Sequence, residues 1–324
     1  MSKKIKIGVL GCADIAKRFL IPAIKSSNSY ELIGIASRSI SKANIFADEF
    51  NTKAFDGYDS LIDIKPDAVY IPLPTGLHYT WVKKALENNI HVLVEKSLAC
   101  NQSEVLELNT IASDKDLALM ENFQFRFHSQ LKFLQDKIHD GEIGKIRSIR
   151  TYFGFPPFSD NQNIRYQKNI GGGSLLDAGA YTIKISQIIL GNDLNVDSAE
   201  LYIDDDKEVD IFGSGLIKQQ NGHITSHISF GFDNFYQNLI EIWGSEGVLR
   251  ATRIFTAGPS VKPNIFIESN NAINKIELPS DNHFLNMLDH FSKLIFKKDH
   301  REIEYDDNIN QSRLLTEFYE KSKK

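Results

Sequence analysis

Residues 5–10, IKIGVL, form a β-branched apolar run that breaks at Gly11 and opens directly into a helical pattern over 14–26. A strand, a glycine turn and a helix in immediate succession, here GVLGCADIA at 8–16, is the context a dinucleotide-binding turn requires. Its three small-residue positions fall on Gly11, Ala13 and Ala16. Gly11 permits the tight turn, Ala13 lets backbone amides approach a pyrophosphate, and Ala16 allows close helix–strand packing. The candidate cofactor residues of this turn are therefore Gly11, Cys12, Ala13, Asp14 and Ile15, with the amides around Ala13, Asp14 and Ile15 facing the phosphates from a helix N-terminus. Alanine replaces two of the three glycines, so an ordinary strand-to-helix turn shares this outline. The motif needs company.

The chain downstream supplies it. Further strands are read at 31–36, 68–71, 90–94 and 117–121, alternating with helices at 41–50, 78–88 and 102–113. Such alternation implies βαβ units and a parallel sheet covered on both faces. After about residue 123 the texture changes. Helices at 129–139 and 174–190 flank long alternating runs at 145–153, 210–217, 223–230, 236–243, 247–255 and 264–269. These predict a large, mostly antiparallel sheet with one open face, which a second subunit is expected to cover. A length of 324 residues fits two domains, read as 1–122 and 123–324, with a cleft between them as the expected site.

Composition narrows the partners. The net charge is −5 and the lysines are scattered, so neither a nucleic acid nor a polyanion is expected. Two cysteines, Cys12 and Cys100, lie in unrelated segments, which points to a reducing, cytoplasmic setting. The apolar run at the start is too short for a secretory signal, and no stretch approaches a membrane span.

The end of the second strand discriminates between cofactors. An NAD enzyme places a carboxylate there to hold the ribose hydroxyls. This chain has Ala36-Ser37-Arg38-Ser39 instead, with Lys42 one turn into the next helix. A guanidinium between hydroxyls suits a 2′-phosphate, which Arg38 can bond bidentately while Ser37 and Lys42 assist. NADP(H) is expected over NAD(H).

Candidate chemistry sits at other carboxyl strand ends, where open parallel sheets bind ligands. Glu95 and Lys96 follow the 90–94 strand, and Pro72, Leu73 and Pro74 follow the 68–71 strand, with His78 opening the next helix. Far downstream, GGGSLLDAGAYTI at 171–183 places Asp177 and Tyr181 four residues apart, on one helical face.

These motifs in this order resemble the Gfo/Idh/MocA family, the glucose–fructose oxidoreductase and inositol dehydrogenase group. The resemblance spans most of the chain. It implies an N-terminal Rossmann dinucleotide-binding domain and a C-terminal α/β domain with a large open-faced sheet, assembled as a homodimer or homotetramer. It implies that Lys96, Asp177 and Tyr181 bind substrate and transfer a proton, Tyr181 standing where many members have histidine. It further points to Asn122 at the nicotinamide ribose and Arg165 at substrate or cofactor phosphate. Arg126 and His128 are read as either pocket or interdomain packing, and His283 as a surface histidine. Ser97 replaces the family's proline after the lysine, so a trans Lys96–Ser97 bond is expected.

The expected reaction is hydride transfer between the nicotinamide and a CH–OH or C=O carbon of a sugar, sugar derivative or nucleotide-sugar. Tyr181 is the expected proton donor, its phenolate stabilised by the Lys96 ammonium. No metal is expected; His223 and His227, four apart on one strand face, are separated by roughly 13 Å. Two rival readings stay open: a reductase of a non-sugar diol or carbonyl, favoured by an aromatic-lined cleft, and a non-catalytic NAD(P)-sensing regulator.

Overall fold

Six strands run parallel in the computed structural model, which describes residues 3–270 and 272–323. They are β1 (Ile5–Leu10), β2 (Tyr30–Ser37), β3 (Ala54–Asp56), β4 (Ala68–Ile71), β5 (His91–Glu95) and β6 (Leu119–Asn122), in the order β3-β2-β1-β4-β5-β6. All four residues of β4 are buried, as a strand covered on both faces demands. The covering helices are α1 (Ile21–Ser26), entered through a π-helical stretch at Ala16–Leu20, then α2 (Ile40–Phe50), α3 (Tyr58–Ile62), α4 (His78–Glu87) and α5 (Gln102–Asp114). Strand order reverses between β1 and β4, so the crevice outside their carboxyl ends is where a dinucleotide belongs. The short elements β3 and α3 were not foreseen, since three and five residues carry no readable period.

The second sheet has eight strands: β7 (Ile146–Gly154), β8 (Leu194–Asp204), β9 (Val209–Gln219), β10 (Thr225–Gly231), β11 (Gln237–Gly244), β12 (Gly247–Thr252), β13 (Asn264–Ser269) and β14 (Ala272–Glu277). Their order is β14-β13-β12-β11-β7-β10-β9-β8, antiparallel throughout except where β7 pairs with β10. The helices of this unit are α6 (Ser129–His139) and α7 (Ala180–Leu190), the latter entered through a π-helical stretch at Leu175–Gly179. In β11 the residues Asn238, Ile240 and Ile242 face inward, while Gln237 and Trp243 face out. That alternation fixes register, because a one-residue slip would put Ile240 and Ile242 in water. Ile240 and Ile242 join Ile183, Ile185, Leu249 and Phe255 in one core, whereas Tyr202, Phe212 and Trp243 remain exposed. His223 precedes β10 rather than lying in it, because the strand begins only at Thr225.

By packing, residues 1–122 and 284–309 form one unit and residues 123–283 and 310–324 the other. Residues 284–309 thus pack with the parallel sheet's unit, although they were read with the second region. They belong to α8 (His283–Phe296) and α9 (Arg301–Lys321). The reason lies in specific contacts: Phe284 stacks on Phe19 with ring centroids 5.1 Å apart, and the Tyr30 hydroxyl donates to the Leu288 carbonyl at 2.7 Å. Buried Arg301 donates to the carbonyls of Leu294 and Ile295 and to Asp116. Tyr305 donates to the Leu117 carbonyl.

Candidate active site

In the first unit, Gly11 has φ +130°, a conformation open to glycine, and its amide donates to the Ala36 carbonyl at 2.9 Å. A Cβ at this position would lie 2.9 Å from Leu73 Cδ2, so the absence of a side chain lets the 72–74 loop close on the turn. Ala13 and Ile15 are half-buried and Asp14 is exposed, bonded to Arg18 at 3.2 Å. The Cys12 thiol points toward the Lys42 carbonyl at 3.7 Å, and burial pushes its pKa up. Only its backbone is then available to a phosphate.

At the end of β2, Ser37 is buried and accepts from the Ser39 amide at 3.2 Å, while Ser39 caps α2 by accepting from the Lys42 amide at 3.4 Å. Arg38 and Lys42 are exposed. Burial pushes the Tyr58 hydroxyl's pKa up and the Arg38 charge counteracts it, while the Tyr58 ring meets Trp81 edge-on with centroids 4.8 Å apart. Tyr58 was missed in the sequence because its helix is only five residues long.

The ends of β4, β5 and β6 place three polar side chains in one row. The Tyr70 hydroxyl donates to Glu95 Oε1 at 2.6 Å, and Asn122 Nδ2 donates to the same oxygen at 2.7 Å. Burial nevertheless holds the Glu95 carboxyl above its usual range. Asn122 Oδ1 is buried and, among the described residues, has no partner. An orphaned acceptor at a carboxyl strand end, beside a half-buried Lys96, fits the hydroxyl or amide donors of a nicotinamide riboside. The Lys96–Ser97 peptide is cis, contrary to the trans bond expected from the missing proline. His78 is also corrected. It is fully buried, with ring nitrogens 2.7 Å from the carbonyls of Leu73 and Ser97, so it faces backbone rather than cofactor.

In the second unit, the triple glycine organises the surroundings of Arg165 and Asp177. Gly173 has φ +115°, and a Cβ there would lie 2.3 Å from Asp210 Oδ1. Without one, Asp210 reaches the start of the helix and accepts from Ser174 Oγ at 2.8 Å and the Leu175 amide at 2.5 Å. The Gly173 amide donates to the Arg165 carbonyl at 2.9 Å, tying the preceding loop to the same point. Arg165 Nε consequently donates to Asp177, and the guanidinium carbon lies 4.8 Å from the Phe158 ring centroid. The Asp177 charge pushes the Arg165 pKa further up. The π-helical stretch Leu175–Gly179 contains Asp177 and runs directly into the helix that carries Tyr181, a wider turn of the kind found at functional sites.

Tyr181 is 7% exposed, its ring centroid between 5.1 and 5.7 Å from those of Phe123, Phe125, Phe153 and Phe255. Its hydroxyl lies 3.3 Å from Gln124 Oε1. Neither Gln124 nor the buried Lys184, whose Nζ sits 5.6 Å from the Phe123 centroid, was singled out in the sequence. Lys184 is the one charged residue of the helix Ala180–Leu190, three residues after Tyr181, and that placement was the available signal. Arg126 lies 5.3 Å from the Phe127 centroid. His128 caps α6, its Nδ1 accepting from the Gln130 amide at 3.1 Å. His283 is 2% exposed, its ring 5.5 Å from that of His128, which overturns its reading as a surface residue.

Residues 5–123 match the family model described as an oxidoreductase family with an NAD-binding Rossmann fold, and residues 131–250 match the GFO/IDH/MocA C-terminal domain. A dTDP-3,4-didehydro-2,6-dideoxy-α-D-glucose 3-reductase of Actinomadura kijaniata is 35% identical, over 96% of this chain and 93% of the relative. The chain belongs to the GFO/IDH/MocA oxidoreductase family. An NADP-dependent D-xylose 1-dehydrogenase of Haloferax volcanii is 27% identical over 97% of this chain and 96% of that one. The crystal structure of a 3-ketoreductase from Actinomadura kijaniata in complex with NADP and TDP-benzene superposes with a TM-score of 0.95 at 34% identity, covering 98% of each chain.

This GFO/IDH/MocA chain carries histidines that folding makes less basic. Burial lowers His91 to about 4, and burial together with His128 lowers His283 to about 4. His128 is lowered as well, again mainly by burial. Each takes up a proton near pH 6.5 when unfolded but resists it when folded. Their contribution to stability is complete above about pH 6.5 and drains away as pH falls toward 4, at up to about 1.4 kcal/mol per histidine per pH unit. Glu95 and Asp210 are held high by burial and act with the opposite sign in acid. The urea midpoint is expected to fall between pH 7 and pH 5; an unchanged midpoint contradicts the assignment.

Proposed function

We propose that the chain is an NADP(H)-dependent ketoreductase acting on a nucleotide-linked deoxy sugar. The observation that carries this reading is the Ser37-Arg38-Ser39 end of β2, which offers an exposed guanidinium and hydroxyls where an NAD enzyme carries a carboxylate. Similarity over nearly the whole length to dTDP-sugar 3-reductases supports the sugar. In this reading the turn at Gly11, Cys12, Ala13, Asp14 and Ile15 holds the pyrophosphate, and Ser37, Arg38 and Lys42 hold the 2′-phosphate. Pro72, Leu73, Pro74, Glu95 and Asn122 line the nicotinamide riboside. The bound nicotinamide supplies the hydride for the carbonyl carbon.

Lys96 and Tyr181 serve the carbonyl oxygen. Reduction adds one hydride to carbon and one proton to oxygen, and Tyr181 delivers the proton while the Lys96 ammonium stabilises the negative charge on oxygen and phenolate. Arg165 and Asp177 bind sugar hydroxyls or phosphate as a pair. The two cysteines are free, in keeping with a reducing cytoplasm. Among the described residues no helix is long and apolar enough to cross a membrane.

Turnover of dTDP-3,4-didehydro-2,6-dideoxy-α-D-glucose with NADPH, beside a panel of free sugars and aromatic dihydrodiols, tests the substrate. The four phenylalanines around Tyr181 favour a second reading, an aromatic diol, and preference for dihydrodiols would establish that one instead. The exposed Tyr202, Phe212 and Trp243 lie on the open side of the second sheet, which we assign to a second copy of this chain. Light scattering is expected to give a dimer or tetramer that Trp243→Lys dissociates; a wild-type monomer refutes this assignment.

A further inference from the structure

We propose that His78 is a positioning residue for Lys96: its ring clasps the 72–74 loop and the lysine turn by their carbonyls. The inference rests on the reading of Lys96 as the charge that serves the substrate oxygen. His78 is fully buried, Nδ1 lies 2.7 Å from the Ser97 carbonyl oxygen, and Nε2 lies 2.7 Å from that of Leu73. Carbonyl oxygens only accept, so each contact needs an N–H from the ring, and a neutral imidazole has one. Burial works against the doubly protonated ring that the two carbonyls favour, and the nearby Lys96 charge adds to it. One proton thus serves two loops.

Other bonds fix the neighbours of this turn. The Leu98 amide donates to Glu121 Oε1 at 2.9 Å, and Glu95 is held by Tyr70 and Asn122. Lys96 is therefore flanked by a fixed residue before it and another fixed point after Ser97. Between them the Ser97 carbonyl is held by His78. The Leu73 end of the clasp lies in the loop that packs on Gly11. Loss of the ring removes this hold on the Ser97 carbonyl and lets the turn that carries Lys96 shift, while the Gly11 amide keeps its own bond to the Ala36 carbonyl.

The test uses the full chain with NADPH, as wild type, His78→Gln and His78→Phe, each also combined with Lys96→Ala. With dTDP-3,4-didehydro-2,6-dideoxy-α-D-glucose as substrate, kcat is expected to fall about 10–100-fold in each single His78 variant, the penalty of a small misplacement at a reacting centre. KM and the NADPH dissociation constant should stay within about twofold. In the Lys96→Ala background the same change should alter kcat by less than about twofold, because the group being positioned is gone. An equal loss in both backgrounds, or NADPH binding weakened in step with kcat, would show a general packing role and overturn the proposal. Should the wild type not reduce this sugar, the substrate reading fails by itself. The proposal is then decided by crystal structures of wild type and His78→Gln with NADPH, where an unmoved Lys96 Nζ overturns it and a displaced one supports it.

Discussion

Lys96→Ala is expected to lower kcat by about 10²–10³-fold while NADPH still binds, the range lost with a group that stabilises charge developing on oxygen. The turn that carries Lys96 is pinned through backbone and neighbouring side chains: Leu98 to Glu121, Ser97 to His78, and Glu95 to Tyr70 and Asn122. Truncating the side chain leaves all of these in place. The change therefore removes a charge and not a fold. Tyr181→Phe is expected to give a loss of the same order, with little change in thermal stability. Its ring contacts with Phe123, Phe125, Phe153 and Phe255 survive the loss of the hydroxyl and of its long bond to Gln124. Single-turnover kinetics with NADPH and a ketosugar separate binding from chemistry. Full activity in Tyr181→Phe would move the proton to another donor, whereas full activity in both variants would move the whole reaction elsewhere.

Arg38→Ala is expected to weaken NADPH about 10–100-fold and leave NADH nearly unchanged, as one or two charge-assisted bonds are worth about 1.5–3 kcal/mol each. The selectivity follows from position. Arg38 is exposed at the end of β2, so its removal takes away the proposed ligand for the extra phosphate and little else. Fluorescence titration of both cofactors with wild type and variant measures the ratio. Equal wild-type affinities would remove the phosphate assignment, and parallel weakening of both cofactors would make Arg38 a structural residue.

The site was legible where its signals are short-range. Gly11, Arg38 and Lys96 stand out as candidates because each sits just beyond a β-branched run, and a parallel sheet presents its ligands at those ends. Asp177 and Tyr181 stand out as candidates because four residues on a helix return to one face. His78 was misread for the same reason. Its place beside a proline loop suggested cofactor contact, but the spacing carried no information on the side chain's direction, and the fold turns it inward to two carbonyls. His283 failed likewise, since an isolated histidine after a polar loop looks exposed until a second histidine, 155 positions earlier in the chain, is packed against it.

Local order in this chain settled the alternation of strands and helices, the glycine turn, and the absence of a carboxylate after β2, because each of these is a property of neighbours within about 20 residues. Tertiary structure alone chose the partners. Glu95 meets Asn122 because β5 and β6 pair in that register, Asp210 crosses from β9 to hold the helix that carries Tyr181, and Arg165 meets Asp177 because a glycine gap lets the loop approach. Burial and hydrogen-bond geometry depend on strands that are adjacent in space but distant in the chain, and no local pattern encodes that adjacency.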